Sequence, residues 1–163
     1  MTGESVYLSL GSNLGHREGN LISARRELGT FLEEVRCSSV YETRPMYVVQ
    51  QPKFLNMVVA GFCTLQPPEL LQRVLALELQ MGRDRNKVEP KGPRIIDIDI
   101  LLFGRRIVKQ EALHIPHPRL RERQFVLIPL LELEPDLRDP ESGRPLAESL
   151  QSLEDQGVYI FSS

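Results

Sequence analysis

Asp97 and Asp99 stand two apart among isoleucines and leucines in residues 92–104, GPRIIDIDILLFG. A strand sends alternate side chains to opposite faces, so both carboxylates leave one face while Ile96, Ile98 and Ile100 leave the other. The isoleucines can enter a core, and their burial would fix the acids on a rigid element. Two charges with Cα atoms about 6 to 7 Å apart repel in a half-buried setting unless a cation lies between them. Magnesium suits that place, because it takes one or two carboxylates and fills its shell with water and phosphate oxygens. The plain alternative is a solvent-facing strand that happens to be acidic.

Residues 83–94, RDRNKVEPKGPR, lead straight into that strand with five basic and two acidic residues, a local charge of +3. Guanidinium groups beside an acidic pair suit a polyphosphate, since the arginine fork matches phosphate oxygens. Residues 114–125, HIPHPRLRERQF, add His114, His117, Arg119, Arg121 and Arg123. The H-x-x-H spacing, with only Cys37 and Cys63 far away, does not make a zinc set, and arginines with a histidine suit phosphate better. GSNLG at 11–15 reads as a tight turn into a helix, with Ser12 and Asn13 at its entry. It does not satisfy GxxxxGK[ST], which excludes a Walker-type phosphate loop. Asn56 interrupts an apolar strand and offers donors and an acceptor to a ligand such as a heterocycle. Glu78 falls at the border of a helix's core stripe, as a surface charge or as part of a site.

Positioning these groups requires a strand at 5–10, a helix over 17–33 (Leu21, Ala24, Leu28, Phe31) and a strand at 35–42. Residues 43–54 form a proline-containing loop whose Met46, Tyr47, Val48 and Val49 resemble a lid over something flat and apolar. A strand at 54–64 follows. A helix over 68–82 opens at Pro67 and Pro68 with the stripe Leu70, Val74, Leu77 and Met81. After the acidic strand come an edge strand or hairpin arm at 105–108, an apolar helix over 125–133, a short helix near 146–153 and a tail. The order is the βαββαβ ferredoxin-like pattern, an α+β fold with an antiparallel sheet, helices packed on it and a C-terminal extension.

The 163 residues are 41% apolar and 26% charged with a formal net charge of -2. That describes one ordinary globular domain, 1–163, able to bury roughly 68–70% of its unfolded surface. It offers no overall attraction to nucleic acid or to an acidic membrane. Both cysteines lie in apolar or strand-like runs, no signal-type segment opens the chain, and no apolar run reaches ~18 residues. We expect a monomer in the reducing cytoplasm. The rival class is a ferredoxin-like module that binds RNA or senses a small molecule without turnover. With 6% aromatic residues and no RNP-like K/R-G-F/Y-G/A-F run, the chain lacks the signature of an RNA reader.

YLSLGSNLG, YETRP, FLNMVV, LELQMGRDR, GPRIIDIDILLFG and IPHPRLRERQFVL, in that order, resemble the 6-hydroxymethyl-7,8-dihydropterin pyrophosphokinases of folate biosynthesis. The resemblance implies transfer of the β,γ-diphosphate of ATP to the hydroxymethyl oxygen of the pterin, leaving AMP. By that similarity Asp97 and Asp99 hold two Mg²⁺ ions and, with Arg83 and Arg94, carry the catalysis. Glu78, Arg83, Arg85, Arg94, Ile100, His117 and Arg123 match the ATP side. Thr43, Pro45, Met46, Phe54, Asn56 and Phe125 match the pterin side, Asn56 reading the polar ring edge and the two phenylalanines sandwiching the bicycle. Gly11 and Asn13 match the first loop in a supporting role. The sequence departs from better-known members at Lys91, where they carry tryptophan, and at Leu75, Ala112, His114 and Pro118 on the nucleotide side.

Overall fold

The computed structural model describes residues 3–43, 53–82 and 94–161. β1 (Glu4–Ser12) turns into α1 (Arg17–Leu28), followed by β2 (Glu33–Cys37), β3 (Tyr41–Thr43), β4 (Phe54–Cys63), α2 (Pro67–Gln80) and β5 (Asp97–Phe103). A hairpin of β6 (Val108–Gln110) and β7 (Leu113–Ile115) comes next, then a 3-10 turn (Leu120–Glu122) and α3 (Gln124–Leu133). The chain ends with α4 (Leu146–Gln151) and β8 (Tyr159–Ile160). The main sheet runs β5-β1-β4-β3-β8, with β2 also on β4 and every pairing antiparallel. With β2 and β3 taken as two parts of one strand, this is the expected ferredoxin-like arrangement. No helix among the described residues is long and apolar enough to cross a membrane.

Alternation along the strands gives the sheet two cores. Val6, Leu8, Leu10, Leu55, Met57 and Val59 pack with Ile96, Ile98 and Ile100 under α1 and α2. Tyr7, Val58, Ala60, Leu101 and Leu102 pack under α3 and α4. The three isoleucines of the acidic stretch are therefore sealed, as their spacing predicts, while Asp97 and Asp99 stay half-buried on the α3 face.

Several boundaries differ from the sequence expectation. β1 runs on through Gly11 and Ser12, and the cap of α1 is His16, whose Nδ1 accepts from the Gly19 N–H at 3.0 Å. Ser12 and Asn13 are thus not its cap. α1 stops at Leu28, because Glu33 already belongs to β2. The strand expected at 35–42 is broken. The Ser38 hydroxyl accepts from the Val58 N–H at 2.9 Å, while the Ser38 N–H donates to the Val58 carbonyl at 2.9 Å. Extending the pairing of Cys37 with Val59 would set Tyr41 opposite Leu55, yet Tyr41 faces Asn56, so the strand carries one extra residue. A bulge of that kind reverses which side chains face which way. It brings Tyr41 and Thr43 to the α3 face. Of residues 105–108 only Val108 is in a strand, and the C-terminal tail contributes β8. The lid-like reading of 44–52 and the basic segment 83–93, including Arg83, Arg85 and Lys91, lie outside the described residues.

Ile98→Ala should lower unfolding free energy by about 2–5 kcal/mol, as for other buried aliphatic truncations. Urea denaturation would show a lower midpoint with an unchanged slope.

Candidate active site

The strand registers bring the predicted residues together. Asp97 lies opposite Gly11, Gly11 opposite Asn56, and Asn56 opposite Tyr41. Cross-strand partners share a face, so these four positions form one row across the sheet. The next row holds Asp99, Ser9 and Val58, and on the other side Thr43 pairs with Phe54. Asp97 and Asn56 are thus two strand spacings apart, about 10 Å. α3 covers the far end of this face, and its first turn brings Arg123 and Phe125 to the near end.

The middle position of the row demands a glycine. A Cβ on Gly11 would stand 2.9 Å from Asn56 Nδ2 and 3.6 Å from the Phe54 ring. The Asn56 amide therefore lies directly over the bare backbone. Its other end is held by Thr43, whose Oγ1 donates to Asn56 Oδ1 at 3.0 Å in a buried contact.

Two anchors fix the acidic strand. The Asn13 N–H donates to the Arg94 carbonyl at 3.0 Å, and Asn13 Oδ1 accepts from the Arg94 N–H at 2.6 Å. The first loop is therefore a clamp on the start of β5, a role that its sequence does not disclose. On the outer edge of β5, Glu78 Oε2 accepts from the Ile98 N–H at 2.7 Å. Glu78 is only 2% exposed, so it is no helix-surface charge. It holds the backbone between the two aspartates.

Around the acids, Arg94 Nη1 donates to Asp97 Oδ2 at 3.0 Å. His117 Nε2 lies 3.8 Å from Asp99 Oδ1. The Arg119 N–H donates to His117 Nδ1 at 3.1 Å, which requires the tautomer with its proton on Nε2. Burial, then the charges of Arg123 and Arg119, pull the His117 pKa down to about 4 against the opposing effect of Asp97. At neutral pH it is a neutral donor facing the acidic side. Arg123 Nε is buried with no hydrogen-bond partner among the described residues, and the guanidinium lies 5.4 Å from the Phe125 ring. An anion with spare lone pairs would satisfy that donor.

The arginines expected beside His117 are not all directed at this site. Arg119 Nε donates to Glu122, and Arg121 is bound by Asp139 and Glu141. Of the three, Arg123 remains the candidate for a phosphate. Pro45 and Met46 lie outside the described residues. Ile100 buries its side chain under α2, and the strand period turns its main chain to the same outer edge as that of Ile98. Leu75, Ala112, His114 and Pro118 are exposed.

The donor set discriminates between metals. Among the described residues no group of three or more His, Cys, Asp or Glu side chains is disposed to hold an ion. Two accessible carboxylates with no third protein ligand among the described residues suit magnesium completed by water and phosphate better than zinc.

An acidic pair, an arginine donor without an acceptor among the described residues and a neutral imidazole on one face of a ferredoxin-like sheet are groups suited to holding a magnesium-bound phosphate. The model of the 7,8-dihydro-6-hydroxymethylpterin-pyrophosphokinase (HPPK) family matches residues 7–135, and the chain belongs to that family. It is 41% identical over 145 residues to the 2-amino-4-hydroxy-6-hydroxymethyldihydropteridine pyrophosphokinase of Aquifex aeolicus, covering 88% of this chain and 89% of that one. The Synechocystis sp. protein of the same name is 40% identical over 156 residues, covering 94% and 78%. The folic acid synthesis protein fol1 of Pneumocystis carinii is 41% identical over 95% of this chain, which spans only 21% of that longer protein. Among solved structures, the wild-type Plasmodium falciparum HPPK-DHPS with pteroate superposes with a TM-score of 0.73 over 93% of this chain and 42% of that one. At 14% identity this likeness concerns the fold.

Gly11→Ala should displace the Asn56 amide and cost about 1–3 kcal/mol of stability, as overpacking does. In a double-mutant cycle with Asn56→Ala most of that cost should vanish, a coupling of about 0.5–3 kcal/mol read from denaturation midpoints.

Proposed function

We propose that this chain transfers the β,γ-diphosphate of ATP to the hydroxymethyl oxygen of 6-hydroxymethyl-7,8-dihydropterin and releases AMP. The observation that carries this reading is the row in which Asp97, Gly11 and Asn56 stand side by side. A cation-binding carboxylate and an amide able to read a heterocycle lie about 10 Å apart on one rigid face. That separation suits a triphosphate at one end and a flat bicycle at the other.

Asp97 and Asp99 would hold two magnesium ions, which when bound neutralise triphosphate charge and help align the attacking oxygen with phosphorus. Arg94 exchanges its ion pair with Asp97 for phosphate oxygens, and Arg123 offers its unpaired Nε. His117 donates from Nε2 to the same anion and, lacking a free lone pair there, does not act as a base. Arg83 and Arg85 complete the phosphate side. Glu78 acts on the nucleotide through the backbone of β5, and Ile100 through its main chain. Asn56, oriented by Thr43, reads the polar edge of the pterin, while Phe54 and Phe125 flank its faces and Pro45 and Met46 close the set. The pterin oxygen bonds to the β-phosphorus as the bond to AMP breaks, and the hydroxyl proton is released. Residues 1–163 act as one catalytic domain, a cytoplasmic monomer that binds neither nucleic acid nor membrane.

With ATP, Mg²⁺ and the hydroxymethyl dihydropterin, the protein should release AMP, and release of ADP would overturn the reading. Asp97→Asn and Asp99→Asn should each lower kcat by about 10²–10³, the usual cost of a main electrostatic group, in a chromatographic AMP assay.

A further inference from the structure

We propose that the C-terminal segment 156–161 is a positioning element for the pterin half of the site, an inference that rests on the function proposed above. The segment is bonded to both flanks of that half. At one flank, Gln156 and Gln124 exchange hydrogen bonds. The Gln156 N–H donates to Gln124 Oε1 at 2.7 Å, and the Gln124 N–H donates to Gln156 Oε1 at 2.9 Å. Gln156 Nε2 also donates to the Glu122 carbonyl at 2.9 Å. Gln124 sits between Arg123 and Phe125, so this exchange fixes the first turn of α3 where both residues project.

At the other flank β8 closes the open edge of β3. Tyr159 lies opposite Glu42, Ile160 opposite Tyr41, and the Phe161 N–H donates to the Val40 carbonyl at 2.9 Å. The Tyr159 hydroxyl donates to Glu42 Oε1 at 2.9 Å and accepts from Lys53 Nζ at 2.8 Å. Arg17 Nη1 donates to Glu42 Oε2 at 2.7 Å and to the Lys53 carbonyl at 2.8 Å, and its guanidinium lies 5.7 Å from the Phe161 ring. Glu42 and Lys53 immediately precede Thr43 and Phe54.

These bonds bear on the site through β3. That strand is three residues long and ends at Thr43, the residue that orients Asn56. A strand so short, with one edge open, would fray at its end, and Thr43 is its end. β8 and the Tyr159 hydroxyl hold it. The same segment holds Phe125 from the opposite side, so one piece of chain spans the two walls between which the bicycle would lie. The acidic strand is anchored separately, by Asn13 and Glu78. Loosening the β3 flank alone should therefore weaken the pterin side, whereas a purely structural tail would affect both substrates alike even there.

The test is steady-state kinetics of Tyr159→Phe, Gln156→Ala and a chain ending at Asp155, with each substrate varied in turn. Each point variant should raise the pterin KM by about 3–10-fold, the consequence of roughly one hydrogen bond's worth of ordering. The shortened chain should exceed tenfold. Tyr159→Phe, which touches only the β3 flank, should leave the ATP KM within about twofold, whereas Gln156→Ala and the shortened chain, which also release Arg123, should raise both. If Tyr159→Phe moves both KM values together, or if the variants lower only the melting temperature, the inference is overturned. Should the shortened chain not fold, the two point variants decide. A wild-type protein that releases no AMP overturns the function and this inference together, whereas an active wild type with unmoved variants overturns this inference alone.

Discussion

The interleaving of Ile96, Ile98 and Ile100 with Asp97 and Asp99 is the constraint on which the structure turns. Turning the strand over would expose three isoleucines, at about 1.5–3 kcal/mol each, and drive two carboxylates into the core beneath α1 and α2, at several kcal/mol each. The preference for the observed face is therefore on the order of 10 kcal/mol or more. That is comparable to the whole stability of an ordinary domain. The direction of the acids is thus a property of the core, and the site inherits its rigidity.

From that fixed strand the rest of the face follows by register. β1 carries Gly11 beside Asp97, β4 carries Asn56 beside Gly11, and β3 brings Thr43 within reach of Asn56 only because of the extra residue near Ser38. Each step is a backbone pairing, so the spacing between the acidic end and the amide end is set by the sheet itself. Side-chain flexibility has little influence on it.

The acidic strand was legible in the sequence because a period of two among isoleucines has few other interpretations. The helices were legible for a similar reason, through their core stripes, although α1 ended earlier than its pattern suggested. The break between β2 and β3 was not, since it depends on a serine hydroxyl replacing a main-chain group, an exchange that leaves no periodic trace. The helical pattern does not separate a surface role from a site role for Glu78, because its partner is the N–H of Ile98, and backbone partners carry no residue signature. The arginines of 119–123 looked equivalent in sequence, yet Asp139 and Glu141, close to 20 residues away, claim Arg121 and leave Arg123 facing the site. β8 is two residues long, too short for any pattern to announce.

Among the described residues nothing accepts from Arg123 Nε, and this has a thermodynamic corollary. A buried donor without an acceptor costs about 1–3 kcal/mol, a penalty that an anion in the corner would remove. Natural selection for a tougher protein would favour an apolar replacement there, while selection for turnover would retain the guanidinium. Robustness and chemistry are opposed at this residue, so a hardier homologue of this fold would be expected to have relaxed its demands here only after giving up the reaction.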